Sequence, residues 1–155
     1  MAGELAYAEG DVFAVPLQDG AYGLGVVARM DGKGAVLGYF FGERHEQLPQ
    51  LSDISELSAA DNVLIKIFGD LGLENQTWPV IGPLPQWRRE NWPMPAFVRH
   101  ASLTATYFSV EYEDDDPNSH PQEREISREE YEYLPENGLA GSGFVEQRLT
   151  RLLRG

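Results

Sequence analysis

Short apolar runs separated by glycine-containing turns fill the first forty-two residues, a pattern typical of consecutive antiparallel strands. Residues 12–15 form the first apolar run. Asp19-Gly20 follows as a turn, because glycine tolerates the positive φ that tight hairpins need. Residues 22–27 return as the second strand, and residues 35–42 form the third. Gly23 and Gly25 alternate with larger side chains in the second strand and leave room for close backbone approach or for a bulge.

Further strands are predicted in the second third of the chain. Residues 63–68 are apolar except for Lys66 and predict a central strand, with the lysine at an edge or snorkelling to solvent. Residues 78–83 form a short extended piece. Residues 96–100 and 103–112 again have strand composition.

A proline-rich segment joins these strands. Five of the ten prolines lie between Pro79 and Pro95, so the segment is a stiff, irregular layer over the sheet rather than a flexible linker. Trp78 and Trp92 each precede a proline and are expected to fill the core. Residues 87–92 also hold two arginines, which we expect to be solvated.

The C-terminal third changes character. Ser127 followed by Glu130 is typical of a capping box at a short helix. Residues 144–153 place apolar side chains at helical spacing, which predicts an amphipathic helix that packs through three of them. The three packing residues are Phe144, Leu149 and Leu152, and the opposite face carries Glu146, Arg148, Arg151 and Arg154.

The succession of elements predicts one mainly β domain of the α+β type over residues 1–155. We expect an antiparallel meander or a small barrel-like sheet, a covering layer rich in proline and tryptophan, and a C-terminal helix. The oligomeric state is open.

Charge and composition limit the partners. The net charge of −13 repels nucleic-acid phosphates and anionic lipids, so we expect neither nucleic acid nor a membrane as a partner. Such a surface attracts basic proteins. The chain has no cysteine, which suits a reducing compartment, and its apolar runs are too short to cross a bilayer. We therefore expect a cytoplasmic protein.

Residues that could perform catalysis are scattered. His45, His100 and His120 lack the spacing of metal ligands. Residues 138–143 are glycine-rich but lack the lysine of a phosphate-binding loop, and residues 114–116 lack the alternating spacing of a calcium loop. We expect no enzyme activity, no metal and no cofactor.

Carboxylates are concentrated in residues 111–136, which we call the acidic segment. Its densest part directly follows a predicted strand. Two interpretations remain open: a surface that binds a basic partner, or a solvated charged loop. On the first, the partner-binding residues are Glu111, Glu113, Asp114, Asp115, Asp116, Glu123 and Glu125.

Two blocks of sequence resemble a known family. Residues 10–17, Gly-Asp-Val-Phe-Ala-Val-Pro-Leu, with Asp19-Gly20, Tyr22-Gly23 and Val26-Val27 behind them, resemble the immunity protein 26 family of bacterial polymorphic toxin systems. The second block is similar to that family in order and spacing, and it comprises Trp-Pro-Val-Ile-Gly at 78–82 and Pro-Met-Pro-Ala-Phe at 93–97. The resemblance covers about residues 10–97, and the acidic segment lies beyond it.

The resemblance implies a mainly β protein that binds and neutralises a cognate toxin, often a nuclease. It brings no catalytic residues, and Pro16, Trp78 and Gly82 are interpreted as structural. Nucleases hold phosphate in basic clefts, which an acidic inhibitor can occupy. The alternative is a small-molecule-binding or regulatory β domain in which residues 78–92 line a pocket, and an enzyme is a third possibility.

Overall fold

The computed structural model describes residues 5–54 and 56–153, which form a mainly β, α+β fold. The strands are β1 (Asp11–Pro16), β2 (Tyr22–Met30), β3 (Ala35–His45), β4 (Asn62–Gly69), β5 (Val80–Pro83), β6 (Phe97–Ala101), β7 (Thr106–Glu111), β8 (Gln122–Ile126) and β9 (Leu139–Ala140). The helices are α1 (Leu71–Glu74), α2 (Arg128–Tyr131) and α3 (Ser142–Leu152). Three 3-10 turns lie at Leu51–Asp53, Ala59–Asp61 and Arg89–Asn91.

The strands form two sheets. The first has the order β5-β1-β2-β3-β4-β9, in which β1 to β4 are the predicted antiparallel meander. The second is the antiparallel sheet β6-β7-β8. Over the described residues neither sheet closes into a barrel, because β5 and β9 lie at opposite edges of the first sheet.

The first sheet buries both of its faces. On one face, Phe13, Phe40, Phe68 and Trp78 pack together beneath α3, with ring centroids 5.3–5.8 Å apart. The other face packs against Trp92 and against Phe97 and Val110 of the second sheet, and carries Val26, Leu37 and Tyr39. Trp78 and Trp92 are 0% and 4% exposed, which confirms that both fill the core.

Helix α3 forms where predicted but packs through a different stripe. Val145 and Leu149 are fully buried and Leu153 is nearly so, whereas Phe144 and Leu152 are 47% and 44% exposed. The three buried residues are each four apart, and such residues share one helix face. Of the three predicted contacts only Leu149 is therefore correct. Arg154, expected on the polar face, lies outside the described residues.

The strand predicted over residues 103–112 begins only at Thr106. Residues 102–105 form a turn, in which Ala105 has a positive φ of 53° and Leu103 is fully exposed. The acidic segment contains the strand β8, which the sequence does not predict. Only Ile126 of β8 is buried, because β8 is an edge strand whose charged side chains face solvent.

Three other local predictions, for Ser127, β4 and Lys66, have different outcomes. Ser127 caps α2 as predicted, since its Oγ accepts a hydrogen bond from the Glu130 amide at 3.1 Å. The prediction of β4 as a central strand is wrong for its first half, because β9 pairs only with Ile67 and Phe68. Of the two alternatives for Lys66 the edge position is correct, because Lys66 lies in the part of β4 that has no described partner beyond it. It does not snorkel to solvent, since it is 7% exposed and its Nζ donates to the Glu136 carbonyl at 3.3 Å.

Candidate functional site

The seven predicted partner-binding carboxylates lie in three places: on each face of the second sheet and in the loop after β7. Register pairs Glu123 with Val110 and Glu125 with Phe108, so both glutamates lie on the sheet face that carries these residues. Glu111 lies on the opposite face, opposite Gln122. The other four, Glu113, Asp114, Asp115 and Asp116, lie in the loop that follows β7. The structure thus brings Glu123 and Glu125 together and separates them from Glu111.

The loop after β7 is anchored by a buried arginine that the sequence analysis missed. A β-bulge between Val27 and Arg29 places Arg29 opposite Leu37, on the face that meets the second sheet. Its guanidinium donates to the Asp114 carbonyl at 2.8 Å and to the Trp92 carbonyl at 3.0 Å. It also lies 3.1 Å from the Asp114 carboxylate. Arg29 is 2% exposed, and a buried cation requires such partners.

A second arginine joins the same cluster. Arg89 contacts the carboxylates of Glu9 at 2.6 Å, Asp114 at 3.2 Å and Asp115 at 2.8 Å. Arg89 is 37% exposed, so it is partly solvated as predicted, but the sequence does not predict its three carboxylate contacts. Glu9 and Arg89 are 80 positions apart in the sequence, and only the fold brings them together. No local sequence pattern therefore predicts this cluster.

The cluster changes the electrostatics of the loop. Partial burial raises the pKa of Asp114, but the hydrogen bond from Arg29 and the charges of Arg29 and Arg89 outweigh it, and the pKa lies below its usual value. Asp114 and Asp115 therefore already have counterions within the chain. Like-charge repulsion at residues 114–116, the physical reason for predicting a basic partner there, is partly relieved before any partner arrives.

Other carboxylates of the acidic segment lack such partners. Four carboxylates make no ion pair with a described residue: Glu111, Glu113, Asp116 and Glu125. All of them except Asp116 are exposed. Glu123 pairs with Arg99 at 2.7 Å, and this hydrogen bond is the main cause that lowers its pKa. The four carboxylates without an ion pair therefore carry negative charge that no described arginine or lysine neutralises.

Hydrogen bonds hold the loop after β7 in a defined conformation. The Glu113 amide donates to Ser119 Oγ at 2.9 Å, and the Asn118 amide donates to Asp116 Oδ1 at 2.9 Å. Together with the Arg29 contacts, they order the loop that carries the densest charge. A preorganised loop loses less conformational entropy when it binds.

A groove lies beside Trp92, in the proline-rich layer. Its volume is about 900 Å³. The apolar walls include Leu51, Leu57 and Leu84, and polar groups come from Arg88 and Asn91. Trp78 has no part in it, because it is fully buried beneath α3.

No metal site is apparent: within residues 5–54 and 56–153, no three histidine or carboxylate side chains converge as ligands would. His100 instead stacks on Tyr107, with ring centroids 4.6 Å apart. None of the helices that the structure describes is both long and apolar enough to cross a membrane.

A family model described as Immunity protein 26 matches residues 8–109, well over half of the chain. The chain belongs to the immunity protein 26 family. The matched residues contain β1 to β6 and most of β7, so the family assignment rests on the first sheet, the proline-rich layer and part of the second sheet. No curated protein and no solved structure matches the chain.

The family match confirms the predicted resemblance and extends beyond it at both ends. Membership of an immunity protein family indicates a role in toxin neutralisation. The match ends at residue 109, before the loop that carries Glu113 to Asp116. The acidic segment therefore lies outside the matched residues, and family membership by itself assigns it no role.

Proposed function

We propose that this immunity protein binds one cognate toxin domain in a stoichiometric complex and blocks a basic, nucleic-acid-binding cleft of a nuclease. The acidic segment supplies the contact, in the cytoplasm of the cell that it protects, and no catalysis or cofactor takes part. The observation that carries the proposal is a set of carboxylates that have no counterion among the described residues, on an ordered part of a family member: Glu111, Glu113, Asp116 and Glu125.

The physical argument concerns how these charges act at a distance. A carboxylate paired with an arginine of the same chain has little field beyond the pair, so Asp114 and Asp115 attract a partner less than the unpaired residues do. Unpaired carboxylates attract a basic surface and raise the association rate. The seven predicted residues remain the proposed contact, which covers the loop after β7 and reaches both faces of the second sheet where β8 forms its edge. Asp114, Asp115 and Glu123, which have arginine partners, lie at the margin of this contact.

The test is a triple variant that removes three negative charges, Glu111→Gln, Glu113→Gln and Glu125→Gln. It is assayed against the toxin domain encoded beside the gene. We expect its association rate at low salt to fall by at least about tenfold, because long-range attraction is lost, and the slope of the rate against salt to decrease. Stopped-flow fluorescence measures both quantities.

The matched control is the triple variant Glu43→Gln, Asp61→Asn and Glu90→Gln, which removes the same net charge from exposed positions outside the acidic segment. Equal association rates and salt slopes for the two triple variants would show that only net charge matters. A wild-type protein that fails to bind the toxin would contradict the proposal itself.

The groove beside Trp92 favours a second candidate function, the binding of a small molecule. Apolar walls with a few polar groups, here Arg88 and Asn91, are typical of ligand sites of this volume. A metabolite that raises the melting temperature of the wild type but not of Leu57→Arg would support it. Toxin binding that survives Leu57→Arg unchanged would separate the two functions.

A further inference from the structure

The two arginines beside the loop after β7 are held in different ways. Arg29 is 2% exposed and donates to three main-chain carbonyls, those of Ala28, Trp92 and Asp114. Arg89 is 37% exposed, and its side chain makes all its polar contacts with described residues to carboxylates. Main-chain carbonyls are fixed by the fold, whereas exposed carboxylates can change partners. Arg29 is therefore a permanent part of the core, and Arg89 can exchange.

The three carboxylates that Arg89 contacts differ in what else holds them. Asp114 lies 3.1 Å from the guanidinium of Arg29, and Glu9 lies 3.9 Å from it. Asp115 is 82% exposed, and Arg89 is the only cation among the described residues that it contacts, at 2.8 Å. An exposed ion pair gains little over the solvation of its two charges by water. The contact between Arg89 and Asp115 is therefore the one that a partner can replace most easily.

The cluster lacks one positive charge. Two arginines face three carboxylates, so one negative charge is left without a counterion. Glu113 and Asp116 in the same loop add to this negative charge, since neither makes an ion pair with a described residue. The neighbours of Arg89 in the chain, Arg88 and Glu90, are exposed and opposite in charge. A cation from outside the chain would complete the cluster.

We propose that Arg89 competes with the toxin for Asp115. In the free protein Arg89 binds Asp115, and in the complex a guanidinium or ammonium group of the toxin's basic surface takes its place there. Arg89 keeps its contacts with Glu9 at 2.6 Å and with Asp114 at 3.2 Å, so the exchange leaves neither Arg89 nor Asp115 without a partner. The inference rests on the proposed function and adds a regulation of the same contact.

This competition sets a threshold for binding. A partner must supply a cation that binds Asp115 better than Arg89 does, and a weakly basic protein fails to do so. Because Arg89 neutralises Asp115, it also reduces the attraction that steers a basic surface towards the loop. Removal of Arg89 should therefore strengthen toxin binding, whereas removal of a residue that supports the contact would weaken it.

The variants Arg89→Gln and Arg88→Gln test the competition. Both remove one positive charge, and Arg88 is an exposed neighbour that makes no ion pair with a described residue. We expect the affinity for the toxin domain to be at least about threefold higher in Arg89→Gln than in Arg88→Gln. Calorimetric titration measures the affinities, and circular dichroism melting verifies that both variants fold.

A second pair of variants keeps the net charge unchanged. In Arg89→Lys a single ammonium group replaces the planar guanidinium and cannot contact three carboxylates in the same way. We expect this variant also to bind the toxin more tightly than its control, Arg88→Lys. If Arg89→Gln does not fold, this comparison decides the question by the direction of the change.

A double-mutant cycle with Asp115→Asn identifies the carboxylate that changes partners. We expect Arg89→Gln to raise the affinity at least about threefold when Asp115 is present and less than about 1.5-fold in the Asp115→Asn background. The same rise in both backgrounds, an equal effect of Arg88→Gln, or a loss of affinity in Arg89→Gln would overturn the inference while toxin binding itself stands. A wild-type protein that does not bind the toxin would contradict the proposed function, and the inference with it.

Discussion

At the scale of single residues, Gly25 determines how β1 packs on β2. Phe13 pairs directly with Gly25, and a Cβ at position 25 would lie 2.5 Å from the Phe13 ring. The missing side chain lets that ring lie across β2, where it stacks on Trp78 with centroids 5.8 Å apart and planes 8° apart. Gly25, one of the two glycines that predict close approach in the second strand, therefore makes room for a core aromatic ring.

The variant Gly25→Ala tests this packing. We expect it to lower the free energy of unfolding by about 1–3 kcal/mol, because the new methyl group displaces a ring inside a filled core. The control is Gly69→Ala in β4, where a Cβ would meet nothing within 4 Å. Urea unfolding compares the two, and an equal loss at Gly69 would show that strand glycines matter for another reason.

At the scale of elements, α3 is held by one face and two polar contacts. Leu149 and Leu153 pack over Gly23, where a Cβ would lie 3.2 Å from Leu153. Trp78 Nε1 donates to Glu146 at 2.8 Å, and the Gln18 amide donates to Thr150 Oγ1 at 2.9 Å. These contacts fix the rotation of the helix about its axis and leave Phe144 47% exposed.

Two substitutions of the same kind on α3 test that rotation. Leu149→Ala should cost about 2–5 kcal/mol, since it removes a fully buried side chain and leaves a cavity. Leu152→Ala should cost at most about 1 kcal/mol, since Leu152 is 44% exposed. Thermal and urea unfolding measure both, and an equally large loss at Leu152 would support the stripe that the sequence predicted, which contains both leucines.

At the scale of the whole molecule, Arg29 links the two sheets. It belongs to β2 of the first sheet and binds Asp114, which follows β7 of the second. It also donates a hydrogen bond to the Trp92 carbonyl in the proline-rich layer. One buried guanidinium therefore ties together three parts of the fold and the loop proposed to contact the toxin.

This link predicts a dependence of stability on pH. The folded-state pKa of Asp114 lies below its usual value, so the unfolded chain binds more protons over the acidic range. The stabilisation from Asp114 is present above the ordinary aspartate pKa and is lost as the pH falls through the folded pKa. We expect Asp114→Asn to lower the melting temperature at about pH 7 and to lose less stability than the wild type between about pH 5 and pH 2.

Glu113→Gln is the matched control, since it removes one charge from the same loop at an exposed residue without a described ion pair. Its melting temperature at neutral pH should stay close to that of the wild type. If both variants show the same profile between acid and neutral pH, the Arg29–Asp114 pair does not carry the acid dependence.

Short-range patterns in the sequence determined a large part of this protein. Alternation and turn chemistry act between near neighbours, which is why the β1–β4 meander, the Ser127 cap and the place of α3 were predicted. Trp78 and Trp92 are predicted in the core because tryptophan side chains are highly buried on average. The family was recognised for the same reason, since its motifs lie in these local elements.

Tertiary structure alone decided what joins distant residues. Arg29 and Asp114 lie 85 positions apart, so the sequence could not show that the chain itself neutralises part of its acidic loop. β8 is a strand because β7 offers a hydrogen-bonding edge, although its charged side chains give no apolar alternation. The buried stripe of α3 depends on the surface beneath it, and the open edge of β4 depends on how short β9 is. Each of these features depends on a partner that is distant in the sequence and near only in the folded chain. Local periodicity contains no information about that partner.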